Sequence, residues 1–160
     1  MTDQNSSPDD KGAAVKIPPP FIFILLALCG YGLENILPTT LGAAPELRFA
    51  GVVLIVISLA LILVAAAQFK KHATALEPWR PTSQIITTGP YAYSRNPIYV
   101  CFCLFNVGLG LGVNSLWILL SFIPAAVLLR YLVIAKEEAY LETKFGSEYL
   151  TYKGRVRRWL

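Results

Sequence analysis

The residues best suited to chemistry fall in two short polar segments separated by an uncharged run. The first is Thr88-Gly89-Pro90-Tyr91-Ala92-Tyr93-Ser94-Arg95-Asn96-Pro97-Ile98-Tyr99. Gly89 permits a backbone conformation, or a close ligand approach, that a side chain would block, and Pro97 suits the first turn of a helix. Arg95 stands just before that turn, where a guanidinium can bind an anionic group at a membrane surface. Taken alone, the segment reads equally as a helix entry with a snorkelling arginine and interfacial tyrosines. The second segment runs from Lys136 to Leu160. Within it Leu141 and Phe145 are four apart and share a helical face, Glu138 and Glu142 lie beside them, and Gly146 is placed to end the helix. Such a helix is amphipathic, and alone it reads as a surface element in the headgroup layer, held by its basic end.

Other reactive side chains are sparse. Cys29, Cys101 and Cys103 all sit in apolar segments without paired spacing, so they read as packing residues and no metal centre is expected. The sole histidine, His72, lies beside Lys70 and Lys71 and reads as a surface residue. Glu34 falls near the membrane face opposite Arg95. It is either an intramembrane functional carboxylate or a helix-end residue reached by water.

The elements that position these segments follow from composition. The chain is 55% hydrophobic and 15% charged, with a mean hydropathy of +0.53, whereas soluble domains carry about 25% charged residues. An all-α integral membrane bundle of about four transmembrane helices is expected. A spanning helix needs about 20 apolar residues, and segments at about 21–37 and 48–69 meet this directly. The uncharged run from Asn96 to Leu129 would be about 50 Å long as one helix, so it must fold back. Gly108, Gly110, Gly112 and Asn114-Ser115 supply the break, giving helices at about 97–112 and 115–135, the latter kinked by Pro124. A cytoplasmic helix at about 136–146 follows. Residues 1–20, polar and closing on Pro18-Pro19-Pro20, read as a disordered cytoplasmic tail, leaving 21–160 as one membrane domain. The late, long apolar run is unlike a signal peptide.

The net charge of +4 does not point to nucleic acid, because the basic residues flank apolar runs instead of forming a stripe. Lys70, Lys71, Arg80 and Arg95 share one loop, and the C-terminal tail adds six more from Lys136 to Arg158, while the two short connections carry almost none. The positive-inside rule then puts both termini and the long loop in the cytoplasm. A bacterial inner membrane fits.

Gly-Pro-Tyr, then Ser-Arg-Asn-Pro-x-Tyr, an apolar hairpin, then Glu-Glu-x-x-Leu-x-x-x-Phe-Gly-x-x-Tyr-x-x-Tyr, resembles the isoprenylcysteine carboxyl methyltransferase family and its phospholipid methyltransferase relatives. The resemblance covers about Thr82 to Leu160. It implies an S-adenosylmethionine pocket on the cytoplasmic side, with a lipophilic acceptor arriving from membrane lipid between helices. Carried over, Gly89, Tyr91, Arg95, Asn96, Pro97 and Tyr99 would shape the cofactor cradle. Glu137 or Glu138 would bond polar groups of the donor, and Tyr149 and Tyr152 would close a lid. Arg95 or Arg155 would pair with the donor carboxylate or an acidic acceptor. Eukaryotic protein-prenylcysteine methyltransferases usually have Arg-His-Pro where this chain has Arg95-Asn96-Pro97, and asparagine does not titrate near neutrality. Cys101 also replaces a small glycine of that motif.

The activity expected is therefore methyl transfer to a lipophilic acceptor. Candidates are an isoprenylcysteine-like carboxylate and a phospholipid or other lipid accepting on N or O. A carboxylate needs no base, whereas an amine or phenol does, and no base stands out in the sequence. The alternatives are a sterol-reductase-like membrane oxidoreductase and a non-enzymatic membrane subunit.

Overall fold

Proline opens three of the long helices, because its missing N–H costs nothing in a first turn that has no intrahelical acceptor. The computed structural model describes residues 12–160, and its apolar helices are α1 (Pro19–Ile36), α2 (Pro45–Lys71) and α3 (Pro97–Gly112). A rod of four consecutive pieces follows: α4 (Leu116–Leu120), α5 (Phe122–Leu129), a π-helical turn (Arg130–Ile134) and α6 (Ala135–Phe145). The last helix is α7 (Ser147–Arg155). α1, α2 and the whole rod Leu116–Phe145 are long and apolar enough to cross a membrane, while α3, at 16 residues, is shorter. No β-strand occurs among the described residues. Thirty residues of helix span about 45 Å against a hydrocarbon core of about 30 Å, so the charged helix α6 protrudes past the apolar part of its rod.

Packing uses glycine where the sequence suggested chain reversal. A Cβ added at Gly51 of α2 would stand 2.6 Å from the Gly112 nitrogen and 2.7 Å from the Gly108 oxygen. One added at Gly110 would stand 2.4 Å from the Leu119 nitrogen. Backbones therefore touch on two sides of α3, the close approach that small residues allow between membrane helices. The expected break at Gly108, Gly110 and Gly112 is corrected accordingly: all three are helical, and the chain turns at 113–115, with Asn114 at φ 60°. Ser115 caps α4 by accepting from the Ile118 N–H. The interruption between α4 and α5 falls at Ser121, three residues before Pro124, which cannot donate to Leu120.

α2 lies along α3, and α1 lies along α4 and α5; the N-terminal end of α1, the C-terminal part of α2 and the start of α3 line one cavity. Outward faces stay apolar, with Phe21, Leu25 and Leu28 on α1 and Val56 and Leu63 on α2 exposed where lipid chains would lie. The expected disordered tail lies outside the described residues for 1–11. Just before α1, Gly12, Ala13 and Val15 are buried, while Ala14, Lys16 and Ile17 are exposed. The Ala13 N–H donates to the Pro78 carbonyl at 2.7 Å, and Ala13 and Val15 are buried with Ile22, Phe23, Leu129 and Val133.

At the end of the bundle away from Arg95, Glu34 ties the two short turns together. Its Oε2 accepts from Ser115 Oγ at 2.6 Å and its Oε1 from the Thr39 N–H at 2.8 Å. Asn114 Oδ1 accepts from the Ala43 N–H at 2.9 Å beside them.

Candidate active site

The loop ahead of α3 is shaped by one left-handed glycine. Gly89 has φ 62°, and a Cβ there would lie 3.1 Å from Gln68 Nε2, so the chain turns tightly against the end of α2. The 3-10 turn Gly89–Ala92 then buries Tyr91 edge-on to Phe69, with ring centroids 5.6 Å apart. Tyr152 of α7 donates its hydroxyl to the Tyr91 carbonyl at 2.7 Å. Burial holds both hydroxyls protonated, pushing them well above the ordinary tyrosine range.

Beyond α7 the last residues return across this loop and lock it. The Arg95 N–H donates to the Arg157 carbonyl at 2.9 Å, and Asn96 Nδ2 donates to the Arg158 carbonyl at 2.9 Å. Asparagine at this position therefore works as a clasp, an amide donor suiting a main-chain acceptor. Trp159 packs onto the core formed by Leu129 and Val133.

The return of the tail brings a second guanidinium to Glu138. Arg158 Nε reaches Glu138 Oε1 at 2.9 Å and its Nη2 reaches Oε2 at 2.7 Å, a two-pronged pair. Arg95 Nη1 approaches the same Oε1 at 3.1 Å and the Tyr149 hydroxyl at 3.3 Å. Burial alone would raise the Glu138 carboxyl; the Arg158 hydrogen bonds and the charges of Arg95, Arg158 and Lys153 outweigh it and hold the carboxyl below its usual range. The Arg95 side chain is only 9% exposed, yet its Nε has no partner. Two guanidiniums share one carboxylate and one of them has a donor to spare, an arrangement suited to an anionic ligand group.

Glu137, the preceding residue, accepts from the Tyr99 hydroxyl at 2.6 Å through Oε1. Burial pushes its carboxyl up to about 7; the Tyr99 hydrogen bond pulls it down and the Glu138 charge pushes it up by smaller amounts.

These groups line one cavity of about 370 Å³, within the usual range for small-molecule sites of about 300–1,000 Å³. At one end stand Arg95, Asn96, Glu138, Tyr149 and Tyr152; the other is walled by Pro19, Ile62, Ala66, Phe69, Ile98 and Phe102. The site is thus polar at the protruding end of the bundle and apolar where α1 and α2 line it.

Of the residues singled out in the sequence, Tyr91, Arg95, Asn96, Tyr99, Glu137, Glu138, Tyr149 and Tyr152 all face this cavity. Gly89 and Pro97 shape the backbone behind it without lining it. Arg155 is exposed on α7 and does not line the cavity, and Arg158 does not line it either but pairs with Glu138 behind it. His72 bonds the Gln68 carbonyl at 2.8 Å away from the cavity. Sequence reasoning also missed the α2 wall, whose only signal is the spacing of Ile62, Ala66 and Phe69 on one helical face. Among the described residues no three metal-ligating side chains cluster.

Known proteins align with part of this chain. An uncharacterized protein of Haemophilus influenzae is 48% identical over 52 residues, 32% of this chain and 79% of its own length. The nickel-cobalt-cadmium resistance protein NccN of Alcaligenes xylosoxydans is 33% identical over 77 residues, 48% of this chain and 36% of that protein. The cobalt-zinc-cadmium resistance protein CzcN of Cupriavidus metallidurans is 34% identical over 77 residues, again 48% of this chain and 35% of that protein. This chain thus spans about a third of the length of the two resistance proteins. The phospholipid methyltransferase family profile matches residues 47–148, from the start of α2 through the polar end of the cavity into α7. The chain belongs to the phospholipid methyltransferase family.

Proposed function

We propose that the protein transfers a methyl group from S-adenosylmethionine to a lipophilic acceptor at the membrane interface. The observation that carries this reading is a single cavity lined by both kinds of chemistry, with Arg95 and the Arg158-held Glu138 on one part and apolar side chains of α1, α2 and α3 on another. The residues suit the donor. The buried, unpartnered Arg95 Nε can take a carboxylate, and the Tyr91 and Phe69 rings, packed edge to face, offer apolar surface. When bound, the donor supplies a methyl carbon made electrophilic by its sulfonium. The chain's share is alignment and exclusion of water: Arg95 fixes the charged end, Tyr149 and Tyr152 cover it, and the apolar half holds the acceptor's chain. The acceptor enters sideways, between α1 and α2. The concentration of Lys and Arg at the site end of the bundle supports a cytoplasmic site and cytoplasmic termini.

The test is methyl-labelled donor incubated with protein-containing membranes, followed by lipid extraction. Label in the lipid fraction, together with thermal stabilisation by S-adenosylmethionine, is expected. Stabilisation by a reduced nicotinamide cofactor and not by the methyl donor would overturn the reading in favour of a reductase.

A further inference from the structure

The long loop after α2 is fastened to itself at a neck. The Ser83 N–H donates to Thr74 Oγ1 at 2.9 Å, Ser83 Oγ donates to the Ala73 carbonyl at 3.1 Å, and Gln84 Nε2 donates to the His72 carbonyl. Residues 75–82, beyond the neck, contain no helix or strand, yet Leu76, Glu77, Trp79 and Thr82 line the cavity. Among the described residues, hydrogen bonds tie this span to the rest of the chain at two points. The Thr82 N–H donates to the Tyr140 hydroxyl at 3.1 Å, and the Pro78 carbonyl accepts from the Ala13 N–H at 2.7 Å. The second point is set by glycine: a Cβ at Gly12 would stand 2.4 Å from the Trp79 carbonyl carbon and 2.5 Å from the Arg80 nitrogen, so the two main chains touch. The Ala14 N–H donates to the Gly12 carbonyl at 2.8 Å with Ala14 at φ 45°, a tight turn that carries the chain from the loop tip into the bundle. Ala13 and Val15 are seated there in the core with Leu129 and Val133. The C-terminal tail, the other irregular segment beside the site, is held more heavily. It accepts hydrogen bonds from Ser94, Arg95 and Asn96, and its Arg158 grips both Glu138 oxygens.

We infer that residues 75–82 are a lid on the cavity, hinged at the neck and latched shut by Gly12 and Ala13, and that the charged methyl donor and its product pass only when the latch lets go. The identity of the passing molecule rests on the methyl-transfer reading above; the lid does not. A charged molecule crossing the apolar part of the wall would lose its hydration without compensation. Packed helices also part less readily than an irregular loop tip held by two hydrogen bonds. Gly12 meets the lid through main-chain atoms and does not line the cavity, so a side chain placed there acts on the lid and not on the ligand. Releasing such a latch raises the open fraction of the empty and of the filled protein by the same factor. Entry and exit then quicken together, and affinity stays where it was.

The experiment compares wild type, Gly12→Leu, Gly12→Ala and the control Gly32→Ala in nanodiscs; a Cβ at Gly32 meets nothing within 4 Å. Hydrogen exchange of the donor-free proteins is followed by mass spectrometry, and association and dissociation of S-adenosylmethionine by stopped flow. In Gly12→Leu, exchange at 75–82 should quicken at least about tenfold, with α2 and α3 protected as in wild type. Its association and dissociation rates should both rise at least about fivefold, their ratio staying within about twofold of wild type. Gly12→Ala should shift the same quantities in the same direction by less, and Gly32→Ala should match wild type throughout. Unchanged exchange at 75–82 in Gly12→Leu, protection lost across α2 and α3 in both Gly12 variants, or faster dissociation without faster association would each overturn the inference. Absence of donor binding by wild type would instead defeat the reading beneath it, and hydrogen exchange would still decide the lid.

Discussion

Glu34 and Glu137 sit at opposite ends of the same bundle, each at the edge of an apolar helix and each bonded to a hydroxyl at 2.6 Å. They differ in what remains unfilled. Glu34 spends both oxygens on the turns around it and does not line the cavity; Glu137 has one oxygen bonded to Tyr99 and lines about 370 Å³ of space. A carboxylate in an apolar setting thus marks either a joint or a site, and spare hydrogen-bonding capacity beside a cavity separates them. The same test distinguishes Arg95, buried with an unpartnered Nε, from the exposed Arg155.

The comparison breaks most readily at Arg95. Arg95→Ala should weaken S-adenosylmethionine binding by about 100-fold, roughly 2.8 kcal/mol, in calorimetric titration, while Arg155→Ala leaves it unchanged. Arg158→Ala comes next, since Arg95 would then be drawn fully onto Glu138. Donor affinity should fall about tenfold, roughly 1.4 kcal/mol, with Arg158→Lys intermediate because ammonium cannot reproduce the two-pronged pair. At the other end, Glu34→Ala should lower stability by about 1–3 kcal/mol through orphaned donors and leave donor affinity untouched. A change in affinity would dissolve the contrast between the two ends. Smallest is Gly89→Ala, expected to cost about 1 kcal/mol in stability for a side chain at positive φ, with a modest loss of donor affinity as the Tyr91 turn shifts against Gln68.

Much of this was legible in the sequence because membranes impose length. A run without charge must be helical and about 20 residues long, which placed α1, α2 and the long rod, and an overlong run had to fold back. The glycines of α3 misled because glycine marks a break in a turn and a close contact inside a membrane helix, and only the facing Gly51 and Leu119 decide between these. The two polar motifs announced themselves by residue type, and the fold joins them. The clasp did not, because main-chain carbonyls of Arg157 and Arg158 carry no sequence signature and the reversal after α7 selects Arg158 from three nearby arginines. The α2 wall was hidden for a related reason: Ile62, Ala66 and Phe69 look the same whether they face lipid or line a pocket. The burial of Ala13 goes with its main-chain contact to Pro78, which composition cannot show.

The central claim is that the cluster of Arg95, Glu138 and Arg158 forms the charged end of a methyl-donor site. Titrating S-adenosylmethionine into the nanodisc-embedded wild type, Arg95→Ala and Glu34→Ala proteins tests it most directly. One binding site per chain, weakened about 100-fold in Arg95→Ala and intact in Glu34→Ala, is the expected result; binding that survives Arg95→Ala unchanged, or no binding by wild type, would contradict it.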